Sequence, residues 1–332
     1  MDLFSHVLVA YLLTAGVVGF HPQYLAAGAL AGGLPDADAL LYPLARRFPT
    51  FRHHGITHSL TGVTVVAVVG AFVAPILAGG SSWVYFVVFE LGGVAHIAQD
   101  GFTHYSVPPL LPFSDRPLEL DADRAINGIT LVVSVVGFYV LLVVERGQVA
   151  FAIYEWTLYV LAAFFGAYFV LRLSVRYRLG RRIRASKEFT AVIPTTNPFR
   201  WYLIGERRAN GRLSTTVAEY RVGRGVVGTP RRLEVPLEAE GPTGPVSDER
   251  SALERSYPLA RRASRFLADS FHFGEVSGNP QDGFTAVWYS LEFSAFGRAA
   301  AVKVTFPPGG GAPTVRRGWH VVRSRAPVSR GS

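Results

Sequence analysis

The chain reads as an α-helical polytopic membrane bundle of five or six spans followed by a small β-rich α+β soluble domain. Three observations predict this. Hydrophobic residues fill 49% of the 332 positions and charged residues only 17%, high and low for a soluble protein. The apolar excess lies before Arg172, whereas most of the arginine lies from there onward. Beyond Lys187 the long apolar runs give way to short β-prone segments separated by turn residues.

A span needs about 20 mostly apolar residues. Segments 3–20, 59–78, 83–102, 126–144 and 153–173 meet that requirement. The N-terminus carries Asp2 where a cleavable signal would be basic; it is expected to remain as the first membrane helix. A shorter stretch, "YLAAGALAGGL" from Tyr24 to Leu34, is rich in small residues, which suits close packing between helices. It makes a sixth crossing if the helix extends back through "FHPQ". These segments define a membrane part over residues 1–175.

Arginine in short loops sets the orientation. The segment "RLSVRYRLGRRIRASK" makes residues 176–187 a basic juxtamembrane stretch, expected on the cytoplasmic side. Counting back places loops 35–58 and 103–125 inside as well. Arg46, Arg47, Arg52, Arg116 and Arg124 in those loops agree.

Residues 188–332 are expected to form a β-rich cytoplasmic domain. "FRWYLIGE" and "TTVAEYRV" read as strands joined through Asn210-Gly211, a hairpin signal. "FTAVWYSLEFS" and "RAAAVKVTF" read as a second pair around Phe296-Gly297. Between the pairs lies a linker near 241–250. A helix from about Ser251 to Phe271 follows it, opened by a capping box of Ser251 and Glu254.

Composition narrows the function. There is no cysteine, which excludes disulfides and thiolate metal sites. The net charge of +9 comes almost wholly from arginine, Lys187 and Lys303 being the only lysines. No nucleic-acid motif accompanies that charge, so acidic lipid headgroups are the expected partners and nucleic acid is not. There is no H-E-x-x-H, no G-x-S-x-G and no phosphate-binding glycine loop.

What remains is a concentration of imidazole and carboxylate in the first third of the chain. His6 opens the first span; "LPDAD" carries Asp36 and Asp38; "HHGITH" carries His53, His54 and His58; "HIAQDGFTH" carries His96, Asp100 and His104. On a helix, His96, Asp100 and His104 share one face at four-residue spacing. His54 and His58 share a face likewise, with His53 rotated away unless the chain is irregular near Gly55, where glycine permits a break in register. A mixed His/carboxylate set suits zinc foremost, or iron, nickel or manganese. Such a metal would lower the pKa of a water molecule and polarise the bond under attack. Asp36 or Asp38 would be ligand or general base.

Each residue alone has a plainer reading. Asp36 could cap a helix over "ADALLYPLA", and His6, His54 or His104 could sit at an interface. His96 and Asp100 are harder to dismiss, because ionisable groups in a membrane helix are costly. Glu90 lies nearer mid-span and could pair with an interior partner. His272 and His320 stand without evident partners and read as surface or core residues.

The order of a His in the first helix, then "LPDAD", "HHGITHS", "HIAQD" and a later "PF", resembles the predicted membrane-bound, metal-dependent hydrolases of the YdjM type (domain of unknown function 457). The resemblance covers roughly residues 1–175. It carries over His6, Asp36, Asp38, His53, His58, His96 and Asp100 as metal ligands, with Asp36 and Asp38 also as catalytic residues. It favours His53 over His54, since an arginine usually stands at position 54. It implies hydrolysis but supplies no substrate; the expected place of these residues, where the bundle meets the cytoplasm, points to a phosphoester or ester of a lipid or lipid-linked metabolite presented at that surface. The rival reading is a non-catalytic metal-binding membrane protein or transporter. A transport path would call for more mid-membrane charges than Glu90 and for an inverted repeat, which the sequence does not display.

Overall fold

The computed structural model describes residues 1–41, 53–103, 106–146, 151–186, 188–236, 245–264, 273–295 and 298–321. Arg46, Arg47, Arg52, His104, His272 and the Phe296-Gly297 turn lie outside the described residues, as do residues 241–244 of the proposed linker. The chain divides into two compact units, Met1–Arg176 and Tyr177–Ser332.

The first unit is helical. α1 (Leu3–Val18) starts where the Asp2 side chain accepts hydrogen bonds from the Ser5 amide and hydroxyl. α2 (Pro22–Gly33) begins on Pro22, whose missing N–H costs nothing in a first turn. Two short 3-10 turns follow, Pro35–Leu41 and Ile56–His58. Ser59 ends the second and caps α3 (Leu60–Ala78) by accepting from the Gly62 amide. α4 covers Ser82–Phe102, α5 Gly128–Arg146 and α6 Phe151–Ala185.

Among the described residues, two stretches are long and apolar enough to cross a bilayer, Leu60–Ala78 and Ala152–Ala185. Leu3–Val18 and Gly128–Val144 are apolar but shorter. α4 carries Glu90, His96, Gln99 and Asp100, and α2, at 12 residues, spans about 18 Å at 1.5 Å per residue. α6 does not stop at the end of its apolar part. The helix runs on through the arginine-rich segment, whose Arg, Leu and Tyr residues raise no barrier to helix.

Small residues in α2 let its neighbours approach. A side chain at Gly32 would meet the His6 carbonyl oxygen at 2.8 Å, and one at Gly92 would meet the Gly28 carbonyl oxygen at 2.8 Å. α1, α2 and α4 therefore sit nearly backbone to backbone. One apolar core joins Tyr24, Ala31, Ala67, Tyr85 and Val88 of α2, α3 and α4, and another joins Leu8, Leu141, Tyr154 and Phe165 of α1, α5 and α6. Glu90 accepts a hydrogen bond from Thr64 on α3.

α4 ends at Phe102, so the helical face expected to reach His104 stops short of it. Thr103 instead bridges to Asp123, taking the backbone into a loop that returns over the helix ends. A buried network pins that loop. Asp123 accepts from Arg172 Nη2 at 2.5 Å, from Tyr168 Oη at 2.6 Å and from Asn127 Nδ2 at 2.8 Å. Both Asp123 and Arg172 are fully buried, so the charge of each depends on the other.

The second unit holds two four-stranded antiparallel meanders. The first runs β1 (Ala191–Pro194), β2 (Arg200–Ala209), β3 (Arg212–Arg221) and β4 (Gly225–Pro236). Ala209 pairs with Arg212 across Asn210 (φ 52°) and Gly211 (φ 70°), the two-residue turn expected there. The second runs β5 (Phe273–Asn279), β6 (Gly283–Ala295), β7 (Arg298–Phe306) and β8 (Thr314–Val321). α7 (Glu249–Ala263) packs Ala252, Tyr257 and Ala260 against Trp288 and Val302. Its cap differs from the expected one. Asp248 is the capping residue, and Ser251, three positions on, returns the bond to its backbone. Asp248 precedes Ser251 and offers the stronger acceptor, so the helix begins two residues earlier. His320 is not without a partner: its Nε2 lies 3.4 Å from Glu275 and its ring against Tyr289.

Arg172→Ala strands Asp123 in the interior and is expected to destabilise the purified protein by about 3–5 kcal/mol. Pairing it with Asp123→Ala should recover part of that loss. Equal thermal stability of wild type and Arg172→Ala in the same detergent would show that the pair does not hold the loop.

Candidate metal centre

Four side chains from three segments converge beside the ends of α2 and α4. Asp36 comes from the 3-10 turn that follows α2. His58 comes from the second 3-10 turn, one residue before the cap of α3. His96 and Asp100 stand one turn apart on the same face of α4. One ligand atom from each of these four lies within 4.8 Å of the others, a group that could hold a metal ion.

The individual distances define the arrangement. His58 Nε2 lies 3.6 Å from Asp36 Oδ1 and 3.5 Å from Asp100 Oδ2. His96 Nε2 lies 3.6 Å from Asp36 Oδ1 and 3.3 Å from Asp100 Oδ2. His6 Nε2 approaches Asp100 Oδ1 at 3.1 Å, and its ring stacks on His96 with centroids 3.9 Å apart. The Met1 amino group also contacts Asp100. The three imidazoles are wholly buried, whereas the Asp36 side chain keeps 26% of its surface.

The outer nitrogens settle which inner ones are available. His96 Nδ1 lies 2.8 Å from the Gly32 carbonyl oxygen. A carbonyl can only accept, so Nδ1 carries the proton and a neutral ring presents a lone pair at Nε2. His58 Nδ1 faces Asp38 Oδ2 at 3.3 Å and Thr57 Oγ1 at 3.1 Å. Asp38 also accepts from Thr57 Oγ1 at 2.9 Å and is met by His53 Nδ1 at 2.8 Å. The carboxylate thus gathers donors on one side of His58 and leaves Nε2 as an acceptor. His58 Nε2, His96 Nε2 and both nitrogens of His6 are buried without a hydrogen bond. Buried acceptors aimed at carboxylates repel them unless a cation or proton intervenes. Oxygen and imidazole donors of this kind fit a divalent transition metal. Anchoring the far nitrogen of each ring to a carbonyl or carboxylate is how metal-binding histidines are ordinarily oriented.

Burial, reinforced by His58, pushes His54 down to about 4, so it is neutral near pH 7.

All seven residues picked out as ligands fall in one connected set, though not in equivalent places. Asp36, His58, His96 and Asp100 face one another. His6 joins through Asp100 and the His96 ring. Asp38 and His53 stand behind His58, and the His53 side chain is 58% exposed. His53, His54 and His58 form a second group that could hold an ion. The irregularity expected near Gly55 is centred on His54, whose φ of 61° takes the left-handed form. The His54 ring stacks on His58 at 4.8 Å.

Sequence reasoning passed over Thr57, Gly32 and Gly62. Thr57 links Asp38 to His58. Gly62 lies so close beneath the second 3-10 turn that a Cβ would stand 2.1 Å from the Ile56 carbonyl oxygen. Their signals were present as the Thr inside "HGITHS" and the small residues flanking the motifs.

Purified protein is expected to bind a transition metal, with occupancy falling sharply in His58→Ala, His96→Ala, Asp36→Ala and Asp100→Ala. Gly62→Ala should lower it too, by displacing the turn that carries His58, whereas His320→Ala should leave it intact. Elemental analysis of the six proteins decides this, and equal content throughout would remove the site.

Neither the comparison with curated proteins nor that with solved structures returns a match. The model of the family described as YdjM inner membrane protein does match, over residues 1–177, and thereby takes in every residue of the centre. The chain belongs to the YdjM inner membrane protein family.

Proposed function

We propose that the protein is a membrane-bound, metal-dependent hydrolase acting on a phosphoester or ester at the cytoplasmic membrane surface. The observation that carries this is the pair of buried imidazole acceptors, His58 Nε2 and His96 Nε2, facing Asp36 and Asp100. His58, His96, Asp36 and Asp100 would hold the ion, with His6 beside them, and zinc is the favoured metal. When bound, it would supply Lewis-acid polarisation of the scissile group and activation of water. Asp38 and Gly32 keep His58 and His96 in the tautomer that presents Nε2. Asp36 alone of the four has appreciable access to solvent, which suits it to take up a proton from an incoming water molecule. Apolar packing around the other three excludes bulk water and strengthens their electrostatics.

The topology belongs to the same reading. α1, α3, α4, α5 and α6 are taken as spans, with α2, at 12 residues, as a shorter helix that returns the chain beside α1, and the second unit as cytoplasmic. Arg176, Arg178, Arg181, Arg182 and Arg184 at the end of α6 support it by the positive-inside rule. Membrane lipids are the expected partners.

Two experiments test these proposals. Metal-loaded full-length protein should cleave a phosphodiester or a carboxylic ester reporter, and chelation or His58→Ala should remove at least about 99% of that rate. No release above the His58→Ala background on either ester class would overturn the hydrolase. For topology, the chain lacks cysteine, so one introduced at position 115 reports cleanly. It should react with membrane-impermeant reagent only from the inside, and labelling from outside overturns the orientation.

A further inference from the structure

An apolar cleft of about 320 Å3 opens beside the centre, between α2, α3, α4 and the two 3-10 turns. That volume is at the lower end of small-ligand sites. Leu34, Ile56, Val66, Phe89 and Gly93 supply its walls, and Pro35 and Thr57 close the end nearest the centre. Those two are the immediate neighbours of Asp36 and His58, and Thr57 donates to Asp38. The cleft therefore ends against the two residues that directly precede Asp36 and His58 in the chain.

Its other end opens on α3, one of two helices among the described residues that are long and apolar enough to cross a bilayer. Val65, Val66, Val69 and Phe72 on α3 are 59%, 39%, 56% and 72% exposed. Such a face belongs in hydrocarbon, where the surrounding solvent is acyl chain. Val65 and Val66 line the cleft as well as this face, so the hydrocarbon reaches the cleft without crossing a polar barrier.

We propose that the cleft receives one acyl chain of a membrane glycerophospholipid, entering sideways from the bilayer, with the polar end of the lipid at the metal centre. This rests on the hydrolase reading and narrows its substrate to a lipid that stays in the membrane. The Thr57 hydroxyl is engaged by Asp38, which leaves the wall beside it apolar. Phe89 and Gly93 of α4 give a chain one broad and one flat surface.

The test uses the full-length protein in phosphatidylcholine/phosphatidylglycerol bilayers doped with a phosphatidylglycerol carrying a photoreactive acyl chain. Irradiation followed by peptide mapping should place adducts on the Ile56–Thr57 and Phe89–Gly93 segments as well as on the lipid-facing Phe72 segment. Val66→Phe, which fills the cleft from its lipid side, should cut the first two about tenfold and spare the third. Val69→Phe, on the same face outside the cleft, should change none of them. Phe72 adducts without cleft adducts, or equal effects of the two substitutions, would overturn the proposal. Unchanged cleft adducts with an altered oligomeric state in Val66→Phe would overturn it in favour of a protein partner. Elemental analysis of the same samples separates the two levels. Bound metal without cleft adducts defeats the lipid cleft alone, and cleft adducts without metal defeat the hydrolase alone.

Discussion

His58 and His96 are held with their Nε2 atoms 3.3–3.6 Å from the oxygens of Asp36 and Asp100, in a part of the molecule that water barely enters. Lone pairs and carboxylates at that separation repel, and low polarity around them magnifies the repulsion. The surrounding structure is arranged to keep them there. Gly32 and Gly92 bring α1, α2 and α4 together, the Gly32 carbonyl turns His96, Asp38 turns His58, and Gly62 lets the His58 turn rest on the start of α3. A protein that needed only a stable bundle would gain by replacing these groups with apolar ones. Their retention together, each with its outer nitrogen anchored, is what makes a metal-binding role the economical explanation.

The same constraint shapes the connections. Asp36 and Asp38 arrive on a tight 3-10 turn directly after α2, so both carboxylates stay close to a helix end. His58 arrives on another such turn, immediately before Ser59 caps α3. Short turns hold side chains more narrowly than long loops, because fewer backbone conformations remain. Past the end of α4, Asp123, Arg172, Tyr168 and Asn127 fasten the loop that follows with a buried ionic network. That network lies outside the ligand set and steadies the end of the helix that carries His96 and Asp100.

Much of this was legible in the sequence, for identifiable reasons. Apolar runs marked α1, α3, α4, α5 and the start of α6 within a few residues, though α6 runs on to Ala185 past the end of its apolar part, and Asn210-Gly211 marked the β2–β3 turn. The strands β1, β4, β5 and β8 were not legible: β1 is four residues long, and β4 and β8 carry arginines on exposed positions. The start of α7 was misplaced because Ser251 and Glu254 imitate a cap when Asp248 is ignored. In the centre, residue types and their four-residue spacings were enough to gather the ligands. Spacing could not separate Asp38 from Asp36, since both lie on one turn and only its path decides which faces His96 and which faces His53.

That distinction bears on the two adjacent histidines. Family resemblance singles out His53, and helical spacing singles out His54. The structure gives each a separate connection to His58 and makes neither a member of the inner four. His53 reaches Asp38, which in turn faces His58 Nδ1. His54, in the left-handed region that histidine tolerates better than most residues, lays its ring on the His58 ring. A left-handed residue at 54 is what lets consecutive side chains approach the same imidazole from different directions, one through a carboxylate and one through its face. The motif "HHGITH" is therefore a device for fixing a single ring, His58, with two histidines and a threonine supporting it.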